Sequence, residues 1–126
     1  MKKYVFIALI SLVSLAVNWL ALLINCWWLT PVSGLVIGGV LRPAWVSFCV
    51  SVCVGGFSWG LPLGILALQA PVTSTASAIE AVIGFPPTGG VLLIGLTLLA
   101  GCMLSAVGTW LSVALAPLPV RMDLRP

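Results

Sequence analysis

At 126 residues the chain has room for one small domain. Apolar residues make up 62% of it and charged residues 6%, with a mean hydropathy of +1.30, whereas a soluble domain is about one quarter charged. Five basic and two acidic side chains cannot cover a water-soluble globule of this size. That excludes a soluble enzyme, a disordered tail and a nucleic-acid binder with its basic face. It leaves an all-α integral membrane protein, a single transmembrane domain whose first partner is the lipid bilayer.

A membrane-spanning helix needs roughly 20 mostly apolar residues, because the hydrocarbon core is about 30 Å thick and a helix rises about 1.5 Å per residue. The first such stretch is 4–24, behind Lys2 and Lys3. Ser14-Leu15-Ala16 within it resembles a secretory cleavage site, but the apolar run continues to Ile24, beyond the length of a signal's apolar core. Retention as a helix is therefore expected. Ser11, Ser14, Asn18, Ala21 and Asn25 recur at alternating steps of three and four, the seam of a left-handed bundle. A buried amide must find partners, so Asn18 and Asn25 either bond to a neighbouring helix or line a polar path.

The second stretch, 27–41, is short for a span and carries Pro31 in its first turn, where proline is tolerated. It is read as a short span or a re-entrant helix with Gly34 and Gly38 on its seam. The third, 44–68, carries Gly56, Gly60 and Gly64, with Pro62 expected to kink it. Cys49 and Cys53 share a face of this helix. With Cys102 they form a weak candidate for a soft Cu(I) site, against the ordinary role of cysteine as a small buried residue. Neither a metal nor any other cofactor is expected.

Residues 73–85, between Pro71 and Pro86-Pro87, read as a short interfacial helix on the non-cytoplasmic side, with Glu80 at its middle. At membrane depth Glu80 would be a proton carrier or cation ligand; at a wet interface it would be solvated and idle. The last stretch, 90–116, carries Thr97, Gly101, Ser105 and Thr109 four apart, the natural mate of the glycines at 56, 60 and 64. A tail at 117–126 follows.

Charge placement sets the orientation. If 27–41 crosses, Lys2, Lys3, Arg42, Arg121 and Arg125 all fall on one side, as expected of cytoplasmic loops. The resulting reading has four spans, both termini cytoplasmic, in a bacterial-type plasma membrane. Arg42 is a topology determinant or a contact to lipid phosphate.

The chain has no histidine, and its only acids are Glu80 and Asp123. A nucleophile–base pair, a carboxylate pair and a phosphate-binding loop are all missing from the pattern, so a non-catalytic role is expected. The leading expectation is an accessory or scaffolding subunit that packs against larger membrane subunits through small-residue seams. The alternative is a self-assembling transporter or channel, with Asn18, Asn25 and Glu80 lining the path.

Overall fold

The structure, a computed structural model, describes residues 2–41, 43–86 and 88–115. Arg42, Arg121, Arg125 and the tail at 117–126 lie outside the described residues. Among those described there is no strand, and five α-helices account for almost all of the chain. Helix α1 runs Lys2–Leu23, α2 Thr30–Val40, α3 Ala44–Gln69, α4 Val72–Ile83 and α5 Val91–Leu115, with a short 3-10 turn, Trp27–Leu29, leading into α2.

The helix ends follow from local chemistry. Helix α1 stops before Asn25, which sits at φ +59°, a left-handed conformation that asparagine tolerates better than most residues. Asn25 is therefore beyond the helix, and the expected shared face with Asn18 is not formed. Pro31 lies in the first turn of α2, where its missing N–H loses no bond. Helix α3 continues through Pro62, which donates no hydrogen bond to the Ser58 carbonyl. Helix α4 closes at Gly84, at φ +84°, with the Phe85 N–H on the Glu80 carbonyl at 2.9 Å. This is the Schellman arrangement, for which a residue without Cβ is suited.

Tyr4–Leu23, Ala44–Gln69 and Val91–Leu115 are long and apolar enough to cross a membrane, which marks the chain as a membrane protein. The stretch Trp27–Val40 is apolar but shorter. Asn18 of α1 pairs with Ser33 of α2, while Ile7 and Ile10 pack on the cluster containing Ile37 and Leu41, so α1 and α2 are antiparallel. Ser51 of α3 meets Ser105 of α5, and Gly60 lies against Leu98, so α3 and α5 are antiparallel as well. Residues 8–15 of α1 flank 49–57 of α3, and Trp19 lies with Ser58 and Leu61, so α1 and α3 run the same way.

The interior is polar. Among the described residues ten polar or charged side chains are buried, including Ser47, Ser51, Ser58, Ser105 and Thr109, against six apolar ones. Large apolar residues such as Phe57, Leu68, Val91 and Trp110 face outward. In lipid there is no hydrophobic reason for helices to associate; close backbone approach and hydrogen bonds hold them. A Cβ on Gly34 would overlap the Ser105 carbonyl, and one on Gly108 the Pro31 carbonyl. A Cβ on Gly55 would overlap the Gly101 carbonyl. Helix α5 thus lies backbone-to-backbone against α2 on one side and α3 on the other.

This corrects the expected pairing. The inward face of α3 is Ser47, Ser51, Gly55 and Ser58, one position away from the glycines at 56, 60 and 64. Position 56 is turned by about 100° from position 55, so the ladder through 56, 60 and 64 lies at the edge of the α3–α5 contact, beside Cys102 and Leu98, and not at its centre. Thr109 and Ser105 meet Gly34 and Gly38 of α2, while Gly101 meets Gly55 and Trp59 of α3.

Candidate functional site

Three places hold the side chains with chemical potential: the buried polar seam, the junction of α4 with α5, and the outward face of α3.

In the seam, Asn18 is 0% exposed. Its Nδ2 donates to Ser33 Oγ at 2.8 Å, and Ser33 Oγ donates to the Thr30 carbonyl at 2.8 Å. Trp59 Nε1 reaches Thr30 Oγ1 at 3.4 Å, tying α3 to the same cluster. Lower in the bundle, Ser51 and Ser105 share a 2.8 Å contact, and Thr109 Oγ1 donates to the Gly34 carbonyl at 3.0 Å. Ser47 Oγ donates to the Leu41 carbonyl at 2.7 Å, which lies at the end of α2. These bonds replace the water that a hydroxyl would find outside a membrane. One buried atom, Asn18 Oδ1, has no hydrogen-bond partner among the described residues.

At the other site, Glu80 is also 0% exposed. Its Oε1 accepts from Thr88 Oγ1 at 2.9 Å and from the Leu93 N–H at 3.1 Å; its Oε2 accepts from the Gly90 N–H at 3.0 Å. Thr88 Oγ1 in turn accepts from the Leu92 N–H at 3.3 Å. The first turn of α5 leaves N–H groups without helical partners, and an anion there is favoured by the helix dipole. Glu80 therefore caps α5 from α4. Gly90, at φ +83°, lets the chain lie against α4, since a Cβ would stand 2.6 Å from the Thr73 carbonyl. Burial pushes the Glu80 carboxyl up, but the bonds from Leu93, Thr88 and Gly90 outweigh it and hold the group below its ordinary value of 4.5.

The three residues assigned to a polar path are not brought together. Asn18 is inside the α1–α2 seam, Asn25 is exposed beyond α1, and Glu80 is committed to the start of α5. Sequence reasoning missed Ser33, Thr30 and Gly108 as seam residues. It also missed Ser47, Ser51 and Ser58, whose steps of four and seven were the available signal.

The outward face of α3 holds Gly56, Gly60 and Gly64 in an apolar groove of about 690 Å³, walled by Phe57, Leu61 and Leu98. A Cβ on Gly56 would stand 3.1 Å from Cys102 Sγ, one on Gly60 3.2 Å from Leu98, and one on Gly64 would meet no atom within 4 Å. Cys49 and Cys53 are exposed and Cys102 is half-buried. Among the described residues no group of three or more His, Cys, Asp or Glu is placed to hold a metal ion. Thr97, the first residue of the α5 ladder, lies instead beside a recess under α4.

In comparisons with known proteins, no family model, curated protein or solved structure matches the chain.

Proposed function

We propose that this chain is a small, non-catalytic membrane subunit that docks a helix of a larger membrane protein along the outward face of α3. The observation that carries this reading is the position of Gly56, Gly60 and Gly64. They face out into a groove whose walls are apolar, and Gly64 has open space where a side chain would be. Small residues four apart allow close backbone approach between membrane helices; the backbone-to-backbone contacts inside this bundle are made at Gly34, Gly55 and Gly108, while Gly56 and Gly60 meet only side chains of α5 and Gly64 meets nothing. The transporter reading has less support, because its three polar residues are scattered over three separate environments.

In this reading Trp27–Val40 crosses as a short fourth span. Lys2, Lys3, Arg42, Arg121 and Arg125 then share the cytoplasmic side, and α4 lies on the opposite side. The antiparallel courses of α1 with α2 and of α3 with α5 agree with this topology.

Native mass spectrometry of the protein, gently extracted from its own membrane, tests the proposal. A heteromeric mass that is lost on Gly60→Leu supports it. A clean homo-oligomer, or a lone stable monomer, overturns it.

A further inference from the structure

Helix α4 packs against the ends of α3 and α5, yet its own buried residues are only Ala76 and Glu80. The side chains it buries fully against the bundle are thus one methyl group and one carboxylate. We propose that α4 is a hinged cover held shut by the ionised Glu80 carboxylate, and that protonating this single group releases α4 from the first turn of α5.

The geometry gives the reason. All three partners of the carboxylate are donors: the Thr88 hydroxyl and the Gly90 and Leu93 N–H groups. Oε1 accepts two bonds and Oε2 one, so a proton would take the second lone pair of Oε2 and add a further donor beside the three already there. The hydroxyl can rotate, but the two amides cannot become acceptors. An unpaired donor buried at this junction would carry the full desolvation penalty. Nothing else compensates a charge change there. Helices α3 and α5 carry no Asp, Glu, Lys, Arg or His. Their only titratable side chains are the thiols of Cys49, Cys53 and Cys102, none of which lines the recess beneath α4. Glu80 is the sole titratable group on α4 itself.

The segment is built to move as a unit. Ala70 is extended and precedes Pro71 on one side; Gly84 is left-handed and precedes Pro86 on the other. Beneath α4 lies a recess of about 210 Å³, lined by Leu63, Leu66, Ile79, Leu93, Ile94 and Thr97. Release of α4 exposes this apolar recess at the end of the bundle. The device is independent of what docks on α3.

The sign follows from the lowered carboxyl. A group held below its ordinary value stabilises the closed form fully above about pH 4.5. That contribution falls as pH drops, by at most about tenfold in the closed–open equilibrium per pH unit, and is gone below the lowered value.

Hydrogen exchange of the full chain in lipid nanodiscs between pH 7 and pH 2.5, corrected for intrinsic exchange rates, tests the proposal. Amides of 72–83 should lose protection as a one-proton transition below pH 4.5, while those of 101–109 keep theirs. Glu80→Gln, which places an amide NH2 among the same donors, should show weak α4 protection at every pH. Thr88→Val, which removes one donor to the carboxylate together with the acceptor of the Leu92 N–H, should move the transition to higher pH. Unchanged α4 protection in the wild-type chain overturns the proposal, as does a transition surviving in Glu80→Gln. So does a Thr88→Val midpoint that stays where it was.

Discussion

A single methyl group measures how closely two helices lie. At Gly34 and Gly108 it would run into a backbone carbonyl of the facing helix, which has no rotamer by which to move aside. Gly34→Ala and Gly108→Ala are each expected to destabilise the bundle by about 1–3 kcal/mol, the range for overpacked interiors. Unfolding followed by SDS titration in mild detergent would show this as a lower midpoint. Gly64→Ala adds the same methyl where no atom lies within 4 Å and should leave that midpoint unchanged. Asn18 gives the opposite kind of test. Its amide donates one good bond to Ser33 and leaves Oδ1 buried without a partner. An interhelical bond of this kind is worth about 0.6 kcal/mol on average, and an orphaned acceptor offsets it. Asn18→Leu is therefore expected to shift stability by less than about 1 kcal/mol, measured in the same titration; a loss several times larger would show that the amide organises the seam.

At the scale of elements, the helix boundaries were legible because prolines and glycines interrupt otherwise continuous apolar runs. The third helix was placed at 44–68 and runs Ala44–Gln69; the last was placed at 90–116 and runs Val91–Leu115. The face that each helix turns inward was harder to read. Small residues mark any close approach, internal or external, so spacing alone does not tell Gly55 from Gly56. The hydroxyls do, because a serine facing a neighbouring backbone can donate to its carbonyl, as Ser51 does to Ser105. Asn25 was misread because periodicity continues past the residue where the backbone turns over at φ +59°. The role of Glu80 was hidden for a different reason. A capping box is read over three residues, whereas this carboxylate caps a helix from 10 and 13 residues upstream, at Gly90 and Leu93.

For the whole molecule, the distribution of charge is the boldest feature left to test. With native cysteines replaced by alanine, Ser74→Cys on α4 should react with a membrane-impermeant maleimide applied to intact cells. Arg125→Cys should react only after permeabilisation. Reaction of Arg125→Cys from outside, with Ser74→Cys protected until permeabilisation, would remove the four-span topology. It would leave the three long apolar helices untouched.

The hydroxyl-lined interior has a thermal consequence. A soluble domain exposes apolar surface to water when it unfolds, and the resulting heat-capacity increase bends its stability curve into a dome. Here the buried side chains are mostly serine, threonine, asparagine and glutamate, and most of the large apolar side chains already face outward. Separating these helices within a bilayer wets little new hydrocarbon. The heat-capacity change should therefore be small, the stability should fall almost linearly on warming, and cooling should bring no cold denaturation.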